Sequence, residues 1–192
     1  MRTVWGYNVS GTIEPLISEG TFHNITNFAY ANNPRVEAAI KAASQTVRNY
    51  CGWHISPSMT CTANPAGGST VLNLPAAYVS KINSIKENNV TVTDYKLRKD
   101  GLVKRDHPWC GEWGAIEVSY DAGYEEDAVP DLVEAVCAIT SGVLSVSAGV
   151  ISESADGVSI SYSASASSIA AALTSQQKSA LEPYKVVNSH AA

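Results

Sequence analysis

A chain of 192 residues with 45% hydrophobic content is long enough to bury a core without a metal or disulfide staple. A formal charge of −5, with 13 Lys and Arg scattered along the sequence, argues against a protein that grips nucleic acid by neutralising phosphates. No apolar run approaches the roughly 18 residues of a membrane helix, and the N-terminus lacks the basic-then-apolar layout of a signal peptide, so no membrane partner is expected.

The predicted elements, in chain order, begin with a polar stretch up to about Asn33 that reads as a flexible arm. It carries one short helix after Ser18, with Phe22 and Ile25 on one face. Asn33-Pro34 then caps a long helix over 34–51, in which Val36, Ala39, Ile40, Ala43, Val47 and Tyr50 recur at helical spacing until Gly52. From Trp53 to Tyr124 the period changes to two. Extended runs are expected at Thr70–Leu74, Val79–Ile85, Val90–Leu97, Leu102–Lys104 and Ala115–Tyr120, with turns at Asn88-Asn89 and Asp100-Gly101. A second long helix follows over 131–147, its apolar stripe formed by Leu132, Val136, Ile139 and Val143. Residues 152–163, with Asp156-Gly157 and then alternating Val158, Ile160 and Tyr162, read as an extended segment that needs a pairing partner. A Ser/Ala joint at 163–168 and a brief helical stretch at Ile169, Ala172 and Leu173 come next. Thr174 with Gln177 then forms a capping box that opens a short C-terminal helix through Leu181, ended by Pro183. The fold class is therefore α+β: a single domain over 1–192 with a helical core, an inserted antiparallel β region at about 53–124, and flexible N- and C-terminal arms.

Chemistry-bearing constellations are sparse. Cys51-x-x-His54, with Cys61, His107 and Cys110, contains zinc-ligand residue types, but the spacing is irregular and buried thiols are the simpler reading, with His54 starting a strand. All four cysteines, Cys137 included, are expected as free thiols of a protein assembled in a reducing cytoplasm. Nucleophile elbows, His-Glu-x-x-His and phosphate loops are absent, and Gly67-Gly68 lacks the lysine of a phosphate loop. Glu125-Glu126-Asp127, placed just before a helix, is read as dipole stabilisation and a solvated turn. The basic cluster from Lys96 to Arg105 is read as a solvated hairpin. No catalytic residue, cofactor or metal is expected. Trp53 is expected in the core, whereas Trp109 and Trp113, in a loop with Gly111 and Gly114, are candidate contact anchors.

Three stretches carry a resemblance: AAIKAASQTVRNYCGWHISP (Ala38 to Pro57), VSYDAGYEEDAVPDLVEAVCAI (Val118 to Ile139) and LTSQQKSALEPYKV (Leu173 to Val186). In that order they resemble the head-to-tail connector (adaptor) family of long-tailed bacteriophages, over roughly residues 15–187. The resemblance implies a structural virion neck protein and not an enzyme. It implies self-assembly into a closed ring, usually a dodecamer, that joins the portal protein to a stopper or tail-completion protein and lets genomic DNA pass through its lumen without sequence-specific binding. The segment from Thr174 onward carries Leu181, Tyr184, Lys185 and Val186, an apolar and aromatic set too small to form a core by itself, which makes them candidate portal contacts on a tethered helix that orders on binding. The resemblance, which implies a C-terminus that engages the portal, points the same way without assigning any of these residues, and the alternative is a helix packed permanently on its own subunit. Alternative readings are another neck component, stopper or tail-completion protein, and an enzyme whose site the sequence does not reveal.

Overall fold

The computed structural model describes residues 1–145, the backbone of 152–155 and 158–161, and residues 173–186. The expected Ser/Ala joint at 163–168, Ile169, Ala172, the Asp156-Gly157 pair, Tyr162 and positions 146–147, where the second long helix was expected to end, lie outside the described residues. The chain forms two compact units that alternate along the sequence: Met1–Glu14, Tyr50–Ala128 and Pro183–Ala192 make one, and Pro15–Asn49 with Val129–Glu182 make the other.

The first unit is built on a five-stranded antiparallel sheet in the order β1-β2-β8-β4-β5, from β1 (Asn8–Val9), β2 (Met59–Ala63), β8 (Ile116–Ala122), β4 (Val79–Glu87) and β5 (Val90–Val92). The central β8 follows the period of two expected of a half-buried strand, with Ile116, Val118, Tyr120 and Ala122 buried and Glu117 exposed. A second sheet, in the order β3-β7-β6, joins β3 (Val71–Asn73), β7 (Leu102–Lys104) and β6 (Lys96–Arg98), with Leu72 and Val103 fully buried. Asn88 (φ 50°) and Asn89 (φ 64°) close the β4–β5 hairpin, where two residues of positive φ match the strand twist. Gly101 (φ 86°) turns β6 into β7, and a Cβ there would lie 2.5 Å from the carbonyl oxygen of Ala76.

Several expectations change here. The first residues are not an arm: the terminal ammonium of Met1 donates to the Val9 carbonyl (2.6 Å), β1 pairs with β2, and Tyr7 and Val9 are buried. β2 was not expected as a strand. His54 does not start a strand, because the chain from Trp53 to Ser58 is irregular before β2 begins. The run expected at Val90–Leu97 is divided between two sheets as β5 and β6.

The second unit is helical, with α1 (Glu19–Ile25), α2 (Val36–Cys51, its last two residues in the first unit), α3 (Pro130–Ser145) and α4 (Ser175–Leu181). Ser18 caps α1 by accepting from the Thr21 N–H. Phe22 is fully buried, but Ile25 is 51% exposed, so α1 buries one large side chain where two were expected. The stripe of α2 is buried at Val36, Ala39, Ile40, Ala43 and Val47, and Ser44 Oγ accepts from the Leu16 N–H (3.0 Å). On α3, Leu132, Val136 and Ile139 are buried, and Thr140 bonds back to the Val136 carbonyl (2.8 Å). Thr174 and Gln177 form the expected reciprocal capping box on α4, which packs against α3. β9 (Ser152–Ala155) and β10 (Val158–Ser161) pair antiparallel, so the extended segment finds its partner within itself. No helix among the described residues is long and apolar enough to cross a membrane.

Candidate functional site

Trp109 and Trp113, four residues apart, have opposite fates. The loop after β7 is anchored by Arg105, which is 5% exposed. Its guanidinium forms a two-pronged pair with Glu87 (Nη1–Oε2 2.9 Å, Nη2–Oε1 2.7 Å) and donates to the carbonyls of His107 (3.0 Å) and Pro108 (2.6 Å). It also lies 3.9 Å from the centre of the Trp109 ring, a cation–π contact in a site closed to water. Glu87 accepts in addition from the Cys110 N–H. The bonds from Arg105 hold the Glu87 carboxyl below its ordinary value; partial burial opposes this, and the Cys110 N–H and neighbouring positive charge assist it.

The loop is fastened on its other side mainly by backbone, with the Asn88 side-chain amide also donating to Cys110 Sγ (3.8 Å). Gly68 N–H donates to the Trp109 carbonyl (2.9 Å), Trp109 N–H to the Ser69 carbonyl (2.8 Å) and Asn88 N–H to the Ala115 carbonyl (2.7 Å). Gly67 faces Cys110 so closely that a Cβ would fall 1.9 Å from its carbonyl oxygen, and Gly68 has φ 95°, so the Gly-Gly pair is accounted for by the backbone of this loop. The outcome corrects one expectation. Trp109 is 1% exposed and unavailable as a contact anchor, because Arg105 draws its ring into the interior. Trp113 is 97% exposed on the same fastened loop, and Val90 is 67% exposed at the same end of the sheet, where Glu87 pairs with both Val90 and Ile116. A large aromatic held out on ordered backbone loses little freedom on being covered, the property of a binding hot spot.

The C-terminal candidates also divide. Leu181 is fully buried and Tyr184 is 8% exposed, so these side chains serve their own subunit. The Trp53 indole N–H donates to the Tyr184 carbonyl (2.6 Å), the Tyr184 ring meets Tyr124 edge-on at 5.6 Å, and Val186 N–H donates to the Cys51 carbonyl (2.9 Å). Lys185 and Val186 are half-buried, the former with Nζ 5.0 Å from the Tyr50 ring. The segment through Val186 is thus docked rather than swinging, and the side chains it leaves exposed are those of α4, Gln176, Lys178 and Ser179 among them. Residues 187–192 lie outside the description.

The zinc-like residues do not converge, and among the described residues no three His, Cys, Asp or Glu side chains are placed to hold a metal. His54 is buried and used structurally. Its Nε2 faces the Ala122 carbonyl (3.0 Å) and must donate, which leaves Nδ1 to accept from the Tyr7 hydroxyl (2.8 Å), while the His54 backbone N–H donates to that same hydroxyl (3.0 Å). All four cysteines are free thiols. Arg105 departs from the solvated hairpin expected over Lys96 to Arg105: it is buried, because Glu87 from β4 neutralises it, and the one signal of this in the sequence is an arginine two residues before His107-Pro108-Trp109.

Comparison with known proteins gives three findings. No curated protein matches the chain. A solved structure, the neck of a native GTA particle computed with C12 symmetry, contains a chain of 13% identity and TM-score 0.57, the match covering 97% of this chain and 98% of that one. The neck of an empty GTA particle computed with C6 symmetry gives 13% identity, TM-score 0.60 and the same coverage. Both show a shared fold across nearly the whole length of both chains. A family model for head completion proteins matches residues 15–187, and the chain belongs to that family.

Proposed function

We propose that the protein is a structural, non-catalytic component of the neck of a tailed-phage particle, forming a closed ring between the portal and a stopper or tail-completion protein. The observation that carries this reading is end-to-end fold similarity to neck chains, 97% of this chain against 98% of theirs, in a member of the head completion family. Ring closure needs two unlike faces on each subunit. The exposed Trp113 and Val90 supply one candidate face for a neighbour. The exposed residues of α4, with Lys185 and Val186 that follow it in sequence, are the candidate portal contact. A net charge of −5 suits a lumen through which DNA slides without sticking. In this reading the ring is twelve-fold in the virion and assembles in the host cytoplasm.

Electron microscopy of the purified protein mixed with portal-bearing heads tests the proposal. Rings seated at the narrow end of the portal are expected. Light scattering that reports a monomer at every concentration, with and without portal, would remove it.

A further inference from the structure

Cross-strand pairing gives the lysines of the first unit two different environments. In the five-stranded sheet Lys81 stands opposite Asp121 and Lys86 opposite Glu117, the latter with Nζ 3.8 Å from the carboxylate. In the three-stranded sheet Lys96 stands directly opposite Lys104. Both are exposed, and among the described residues neither has a carboxylate within ion-pair distance. Arg98 lies on the same face two residues from Lys96 and is held by Asp100. The opposite face of this sheet is used, with Leu72 and Val103 fully buried. Two like charges directly across a ladder oppose the pairing that carries them. An arrangement that weakens the isolated subunit is expected where an outside negative charge relieves it.

The same chain carries such a charge. Glu125, Glu126 and Asp127 stand exposed in the turn before α3, and among the described residues neither Glu125 nor Asp127 is in an ion pair. We infer that the exposed face of the β3-β7-β6 sheet, through Lys96 and Lys104, receives the Glu125–Asp127 turn of the next copy of this chain. A basic patch that meets the acidic patch of the next copy can repeat head-to-tail, the heterologous kind of contact that propagates around a ring, and the ring reading selects this over a reciprocal two-fold pair. The inference rests on the ring reading above and names a contact within it.

Charge reversal in the full chain tests it, with ring formation followed by sedimentation at low salt. The double variants K96E/K104E and E125K/D127K should each raise the concentration needed for assembly by about tenfold or more, since each juxtaposes like charges. K96E/K104E replaces one like-charge pair with another, so its monomer stability should stay close to that of the unaltered chain. The single variant Lys96→Glu should stabilise the monomer by pairing with Lys104 and still weaken assembly, a split that a merely structural role does not give. Combining all four substitutions in one chain, or mixing the two double variants in equal amounts, should restore rings. Double variants that are folded by circular dichroism and assemble like the unaltered chain would overturn the inference and leave the ring reading standing. So would a folded four-fold variant that fails to recover. Duplex DNA binding that is lost in K96E/K104E while rings persist would reassign the face to a nucleic-acid backbone and also overturn it. An unaltered chain that stays monomeric with portal present removes both readings.

Discussion

The two ends of β8 are held by polar networks of opposite character. Beside Ala122, the Tyr7 hydroxyl, the His54 ring and a backbone carbonyl form a neutral relay with each group satisfied in one direction. Beside Ile116, Arg105 and Glu87 form an ion pair that also gathers three backbone groups and a tryptophan ring. The neutral relay fixes how the chain leaves α2. The ionic one fixes a loop that reaches outward. An ion pair costs more to desolvate than a neutral relay, and it organises more groups at once, because one guanidinium offers five donors in a plane.

Arg105→Ala should therefore be the largest single loss, about 3 kcal/mol by chemical denaturation, since it strands Glu87 and uncovers Trp109. Tyr7→Phe should cost less, about 1–3 kcal/mol, from leaving His54 Nδ1 and its backbone N–H unpartnered. A Tyr7→Phe loss that exceeds that of Arg105→Ala would reverse the ranking of the two ends.

pH separates the ends further. Glu87 has a folded pKa below its ordinary 4.5, so its contribution is present above that value and fades as pH falls through the depressed one. Acid titration of stability should accordingly lose this limb in Arg105→Ala and keep it in Tyr7→Phe. Cys61, buried in β2 and beside the charge of Asp121, is pushed up from 9.0 to about 12. That contribution has the opposite sense, being present below 9.0 and lost as pH rises toward about 12. An alkaline limb that begins at higher pH in Cys61→Ala is the expected result, because burial also pushes up the Tyr120 and Tyr124 phenols and their part of the limb remains. The smallest effect belongs to Trp113→Ala, which should change stability by no more than about 0.5 kcal/mol while weakening assembly.

What could be read in advance was local. The α2 stripe, the capping box at Thr174 and the turns at Asn88-Asn89 and Gly101 follow from periodicity and φ preferences confined to a few neighbours. β1 could not be read that way, because Asn8-Val9 is only two residues and becomes a strand by pairing with a distant segment. β2 does alternate, with Met59, Cys61 and Ala63 between Thr60 and Thr62, but its buried residues Cys61 and Ala63 are too small to make the pattern conspicuous, and distant pairing completes it. Composition could not separate Trp109 from Trp113 either. Both stand in a Gly- and Pro-rich loop, and what distinguishes them is Arg105 held by Glu87 from another strand. Leu181 and Tyr184 looked unpartnered for the same reason, since the partner of Tyr184, Trp53, lies 131 positions upstream.

That last separation bears on biosynthesis. The chain passes from the sheet unit to the helical unit and back twice, so neither unit is a continuous stretch of the gene. A ribosome delivers β1 about 50 residues before β2 can meet it, and the Trp53 indole gains its carbonyl acceptor only after residue 184 emerges. Contacts of such range form late and slowly. A chain stopped before Pro183 leaves the Trp53 indole N–H without that acceptor, so near-complete fragments should be less stable than the full chain and more open to proteolysis.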